Sequence, residues 1–327
     1  MKIIINSGVG AGYWYRRSWA LNFEAMGHEA VLWNKDSIPA FDLWNEFDPD
    51  LFIGETWSLD RALIKLINER KPRVILECSH WGDMDSEIDY ETDPVLRATK
   101  EEKQNFDEVR NNVDYLMKYY LQRDVDVTMN KWQHRCEGIL LACDTLDFDY
   151  RKAEEKEEYK CDLGFVGGYW GYKGNNIKKY LGRYLNYNTN QNTKIKVFGT
   201  NPWPSPYYMG VIPTGEMKYL FKSALICPCI YEPLSSKYGF DISERIFKVM
   251  GSGGLVLSER VKAAEDIFVD DEVMWFDDYP ESFDAQVAKI QAFPELKEEC
   301  VKKATEKIME CHTYKHRCRT MLDRLGI

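Results

Sequence analysis

In the stretch FVGGYWGYKG, Lys173 stands where a helical pattern begins, just after Gly167 and Gly168 close a short apolar run. A lysine near a helix N-terminus gains nothing from the helix dipole, so it makes better sense opposite an anion such as phosphate. A second helical pattern, at 242–250, spaces Ile242, Ile246, Val249 and Met250 as core residues and leaves Asp241, Glu244, Arg245 and Lys248 on the other face. Asp241 is expected to cap this helix, with Glu244 three residues on reaching back as a capping box. Two fixed positive charges at such a helix start suit a diphosphate leaving group, on which negative charge grows in the transition state. The helix then runs into Gly251, Ser252, Gly253 and Gly254 before an apolar strand. Small residues there let the chain turn tightly, or let a ligand come close to the backbone.

Other candidates follow apolar runs. SGVGAG (7–12) sets Gly8, Gly10 and Gly12 at a spacing that is not GxGxxG, and no acidic residue follows the second run in a dinucleotide pattern. An NAD site and an oxidoreductase are therefore disfavoured, while Gly10 and Gly12 still permit close approach to a ligand. VFGTN supplies Gly199 and Thr200, suited to a ligand loop or a turn. His80 follows RVILE, beside Trp81 and near Asp83, where an imidazole can hydrogen-bond a sugar hydroxyl or move a proton. Arg16 and Arg17 lie among Trp14, Tyr15 and Trp19, with Trp57 and Trp81 on later loops. Most of these aromatics are expected to fill cores; the rest would stack on sugars or on a flipped base. Cys311, His312, His316 and Cys318 have the residue types of a zinc site, but they sit among Lys315, Arg317 and Arg319 without a paired-ligand pattern, so no metal is expected.

Short apolar runs alternate with helical patterns: KIIIN (2–6), a helix over 14–26, EAVLWN, DLFIG (50–54), an amphipathic helix, RVILE (73–77), a long helical pattern over 93–121, and strands at VDVTM (125–129) and ILLAC (139–143). The charged stretch 144–160 is expected to be a solvated connector. A second series follows, with strands at 161–168, 194–199, 224–230, 255–259 and 273–276 and helices through 325. Such alternation predicts parallel sheets covered by helices. The division expected is 1–150 and 151–327, two Rossmann-like doubly wound α/β domains facing a central cleft. A net charge of -10 speaks against a broad basic surface for nucleic acid. No segment approaches the length of a membrane span, and the nine scattered cysteines suit free thiols in a reducing cytoplasm.

DLGFVGG, ALICPCI, ERIFKVMGSGGLVLSE and HTYKHR together resemble the group-1 glycosyltransferases related to the spore-maturation protein CgeB, over roughly 155–320. The resemblance implies a GT-B fold, a nucleotide diphosphate sugar (a UDP-sugar) held mainly by the second domain, and no required metal or other cofactor. It also implies transfer to a hydroxyl with retention, the acceptor entering from the first domain. Arg245 matches the arginine of the family's Arg-x-Phe-Glu pattern, and Gly253-Gly254 its Gly pair beside the nucleotide. The glutamate that holds the ribose is replaced by Lys248, which cannot accept hydrogen bonds from a diol. Glu244 or Asp241 takes over that role, or Lys248 contacts phosphate. His80 stands where related enzymes place a sugar-contacting histidine. The acceptor stays open among polysaccharide, protein, small molecule and modified DNA. A phage-type DNA glycosyltransferase acting on a hydroxymethylated base is the alternative enzyme; a nucleotide-sugar-binding protein without turnover is the alternative of another class.

Overall fold

The computed structural model describes residues 1–8, 11–79, 99–169, 171–190 and 192–327. The chain divides into two units, one of residues 1–140 with 314–327 and one of residues 141–313.

The first unit contains β1 (Lys2–Asn6), α1 (Ala11–Ala25), β2 (Glu29–Trp33), α2 (Ala40–Phe47), β3 (Leu51–Glu55), α3 (Arg61–Arg70), β4 (Arg73–Glu77), α4 (Lys100–Val109), β5 (Tyr115–Lys118), α5 (Gln122–Thr128) and β6 (Cys136–Gly138). The strands form one sheet in the order β2-β1-β3-β4-β5-β6, with every described pairing parallel. Ile3, Ile4, Ile5, Phe52, Val74 and Ile75 are fully buried, as near-continuous apolar strands must be when helices cover both faces. Helix α3 starts at Asp60, whose carboxylate accepts from the amides of Ala62 and Leu63, and α4 starts at a Thr99–Glu102 capping box.

The second unit contains β7 (Cys161–Val166), α6 (Gly171–Leu185), β8 (Ile195–Phe198), α7 (Met217–Ser223), β9 (Ala224–Cys229), α8 (Pro233–Tyr238), α9 (Glu244–Gly251), β10 (Val256–Glu259), α10 (Lys262–Glu265), β11 (Met274–Phe276), α11 (Pro280–Ala292) and α12 (Leu296–Cys311). Its parallel sheet runs β11-β10-β9-β7-β8, and its core joins Leu163, Phe165 and Ile226 to Ile177, Tyr180 and Phe283. The last helix, α13 (Tyr314–Leu325), belongs to the first unit: Tyr115 Oη donates to the Met321 carbonyl and the Arg73 guanidinium to the Leu325 carbonyl. The chain thus divides at 140 rather than 150, and its final helix does not close the second unit.

Three segments depart from their sequence patterns. VDVTM lies in and just beyond α5, because Val127 faces solvent and Thr128 Oγ1 bonds the Asp124 carbonyl one turn back. ILLAC leaves the sheet after Gly138, at which an added Cβ would lie 2.6 Å from the Tyr120 carbonyl oxygen. The described part of the long pattern over 93–121 holds α4 and then β5 rather than one helix. Only part of 144–160 is a solvated connector: 150–158 is exposed or half-buried, but Asp144, Phe148 and Asp149 are buried, and Phe148 packs on Phe221 with ring centroids 6.2 Å apart. Among the described residues, no helix is long and apolar enough to cross a membrane.

Candidate functional site

In a parallel sheet the loops after the strands and the first turns of the helices gather at the carboxyl edge, where backbone amides face outward. In the second unit that edge brings together Gly167 and Gly168 after β7, Gly199 and Thr200 after β8, Glu232 after β9, Lys173 in the first turn of α6 and Arg245 in the first turn of α9. The Arg245 Nε donates to the Val166 carbonyl at 3.0 Å, and its guanidinium lies 4.4 Å from the centroid of the Phe165 ring. A Cβ on Gly167 would come within 2.7 Å of Arg245 Nη2, so glycine is what lets the arginine lie along the end of β7. Gly199 packs closer still, its hypothetical Cβ 2.2 Å from the Gly167 oxygen, which also accepts from Trp203 Nε1 at 2.9 Å. Thr200 is exposed beside it.

Lys173 is only 8 % exposed. Burial, reinforced by the positive charge of Arg245, pushes its ammonium from the ordinary 10.5 down to about 8, while Glu232 and the Cys229 thiol pull the other way. Two cations held near each other in a half-dry corner, with Glu232 as the neighbouring negative charge, form an electropositive corner suited to an anion.

Helix α9 is capped by Ser243, whose hydroxyl accepts from the Arg245 amide at 3.3 Å. Asp241 is not the cap; it accepts from Ser235 Oγ at 3.2 Å. Glu244 does not close a capping box, because its carboxylate pairs with Lys248 one turn on at 2.5 Å. Lys248 in turn lies 5.4 Å from the Phe148 ring, so it braces α9 against 144–149 rather than reaching a ligand at the helix start. Gly253 and Gly254 also move out of the site. They follow the C-terminus of α9 and precede β10, at the amino edge of the sheet, where Gly253 has φ +76° and a Cβ on Gly254 would sit 2.5 Å from the Phe221 carbonyl. Their smallness serves the turn and the helix–helix approach.

In the first unit, Gly10, His80, Trp81 and Asp83 lie outside the described residues. Gly12 is in the first turn of α1, where a Cβ would lie 3.2 Å from the Tyr15 hydroxyl. Arg17 is half-buried. Arg16 does not join a basic surface stripe: it is 2 % exposed, paired with Glu55 and, at 2.5 Å, with Glu77. Tyr15 and Tyr119 donate to the same Glu77 oxygen at 3.1 and 2.6 Å, and Asn6 Nδ2 reaches Glu55 at 3.3 Å. Burial raises the Glu55 carboxyl above its usual range against the pull of Arg16. Burial would lower the Arg16 guanidinium, but Glu77 and its other neighbours outweigh that and hold it protonated. The sequence did carry a sign of this network, since LFIGE and RVILE each end an apolar strand on a carboxylate, and the two are directly paired in register.

Among the described residues no group of three or more His, Cys, Asp or Glu could hold a metal ion. His312 stacks near Phe247 and Phe268, while Cys318 Sγ donates to the Trp19 carbonyl.

Comparison with known proteins places the fold in a class. Residues 181–323 match the family model described as glycosyl transferase-like. The whole chain superposes on an α-glucosyltransferase in complex with UDP (TM-score 0.66, 12% identity, 99% of each chain). It also superposes on Anabaena Alr3699/HepE in complex with UDP and glucose (0.65, 8% identity, 100% and 99%). A third match is the DNA-modifying β-glucosyltransferase solved with and without uridine diphosphoglucose (0.62, 14% identity, 100% of each chain). No curated protein matches the sequence significantly. The fold is the GT-B fold, two units each built on a parallel sheet, and the second unit carries most of a glycosyl transferase-like domain.

Proposed function

We propose that this protein transfers a sugar from a UDP-sugar to a hydroxyl acceptor, as a CgeB-like group-1 glycosyltransferase. The observation that carries the proposal is the meeting of Lys173 and Arg245 with the Gly167 and Gly199 backbone at one sheet edge. Their charges would stabilise the departing diphosphate, and the first-turn amides of α6 would add donors. The anomeric carbon passes through an oxocarbenium-like state, and the group-1 resemblance favours retention. UDP in the complexes of two superposed proteins supports the choice of nucleotide. Because Lys248 is paired with Glu244, the ribose acceptor is proposed to come from elsewhere, Glu232 being a carboxylate whose charge acts on Lys173. The test is incubation with UDP-glucose and a mixed acceptor panel, following UDP release and the anomeric proton of the product. Absence of UDP release with every nucleotide sugar tried, despite nucleotide binding, would leave the binding protein without turnover.

The lysine and arginine are proposed to take the place of a divalent cation. Donor binding and UDP release are then expected to be equal in excess EDTA and in added Mn²⁺; a loss in EDTA restored by Mn²⁺ would overturn this.

Lys173 also sets a pH dependence. Its folded pKa of about 8 lies below the ordinary lysine value, so the unfolded chain binds more protons between about 8 and 10.5, and its contribution to stability rises with pH across that window. Binding goes the opposite way, because the diphosphate requires the charged ammonium. UDP affinity is expected to be flat below pH 8 and to fall above it, by up to about tenfold per pH unit, with proton uptake. Calorimetry at pH 7 and pH 9 in buffers of different ionisation enthalpy measures both.

A further inference from the structure

Helix α6 opens on a sequence that does little to hold it. Gly171 and Gly174 flank Lys173, and glycine weakens a helix through the backbone freedom it must give up. Yet Lys173 is buried and keeps its place near Arg245 and Glu232. The anchor comes one turn on, at Asn176, which shares a helix face with Lys173. Asn176 Nδ2 donates to the Tyr231 carbonyl at 3.0 Å and to Ser236 Oγ at 3.1 Å.

The segment that receives Asn176 is tied down in turn. The Ser236 amide donates to the Glu232 carbonyl at 3.0 Å. The Ser236 hydroxyl has one proton, and the Glu259 carboxylate, 2.9 Å away, is the charged acceptor that takes it. Glu259 ends β10 and is 2 % exposed. Burial raises its carboxyl, while Ser236 and the Tyr231 amide favour the charged form. Its other oxygen lies 3.4 Å from Tyr180 Oη on α6, which donates to Asp278 at 2.7 Å. The backbone on either side of Glu232 is therefore held, by α6 through Asn176 and by the end of β10 through Ser236.

We infer, on the function proposed above, that Asn176, Ser236 and Glu259 are positioning residues of the transfer reaction, holding the Glu232 carboxylate and the Lys173 ammonium in one frame. The groups that act on Lys173 are Arg245 from α9, Glu232 after β9 and the Cys229 thiol of β9. Burial and Arg245 disfavour the ammonium and Glu232 favours it, so a Glu232 that drifts leaves Lys173 less readily charged.

The test is a pH titration of the Lys173 Cε resonance in the full chain labelled with carbon-13 lysine, assigned by its loss in Lys173→Met, beside calorimetry with UDP. The parent midpoint is expected at about 8. Asn176→Ala, Ser236→Ala and Glu259→Gln should each lower it, and Ser236→Thr, which keeps the hydroxyl, should restore it. Glu232→Gln should lower it as well, and adding Ser236→Ala to that variant should give no further shift. UDP affinity at pH 9 should fall with the midpoint, by about tenfold per pH unit. A network that serves stability alone would lower the melting temperature of the variants and leave the Lys173 midpoint in place. That result, or a shift by Ser236→Ala that persists beside Glu232→Gln, would overturn the inference. If the midpoints move as expected but no form binds UDP, the frame stands and the donor site fails; if UDP binds and the midpoints do not move, the donor site stands and the frame fails.

Discussion

Arg245→Ala is expected to lower the rate of sugar transfer by about 10²–10³-fold while the protein stays folded. The size follows from what is lost. A fixed donor aimed at a developing charge in a partly dry site acts mainly in the transition state, so its removal falls on turnover more than on donor binding. The fold should survive because the side chain contributes one hydrogen bond to the Val166 carbonyl and its stacking on Phe165, together worth about 1–2 kcal/mol. Loss of the neighbouring charge should also move Lys173 back toward an ordinary lysine, so the pH above which UDP binding weakens is expected to rise in the variant. Arg245→Lys keeps the charge but not the fork or the stacked plane, and should recover only part of the rate. Steady-state rates with UDP-glucose, beside a thermal melt, measure both effects. Unchanged turnover would remove Arg245 from the chemistry.

The largest expected effect on stability is at Arg16. Removing one member of a buried ion network leaves the others uncompensated, at about 3–5 kcal/mol. Arg16→Met keeps most of the volume and isolates the charge effect. Glu55 and Glu77 would then be buried without their cation, and the Glu55 carboxyl, already raised by burial, would lose the pull of Arg16 and rise further. A raised carboxyl stabilises only below its unfolded pKa, and that stability is lost as pH rises through the folded value. The deficit of Arg16→Met relative to the parent should therefore be large at pH 7 and shrink toward pH 5, as urea denaturation at the two values measures. Adding Glu77→Gln to Arg16→Met should recover part of the loss. Equal deficits at both pH values would mean that Arg16 acts by packing alone.

The network also shows what the sequence revealed and what it concealed. The strand ends and helix starts were legible, because apolar runs ended by glycine or a carboxylate mark the carboxyl edge; Lys173, Arg245, Gly167 and Gly199 follow from that alone. Arg16 was not, since an arginine in an aromatic helix reads as surface charge until its two glutamates, 39 and 61 residues away, are brought to it by parallel pairing. The cap of α9 was misplaced because Asp241 and Ser243 are both good caps and only backbone geometry chooses between them. Gly253 and Gly254 were given to the ligand because a tight turn and a close approach require the same residues; only the direction of α9 separates the two edges. Strand β5 was hidden inside a run of helical periodicity, and the return of α13 to the first unit depends on distant contacts such as Tyr115 with Met321.

The most direct measurement is calorimetric titration of the purified protein, in EDTA, with UDP, UDP-glucose, GDP and NAD. The proposed donor site predicts binding of UDP and UDP-glucose at one site per chain, lost or strongly weakened in a Lys173→Met, Arg245→Ala double variant, and no binding of NAD. Binding of NAD, or UDP binding that survives in the double variant, would contradict the assignment of the Lys173–Arg245 edge as the site where the leaving diphosphate is held.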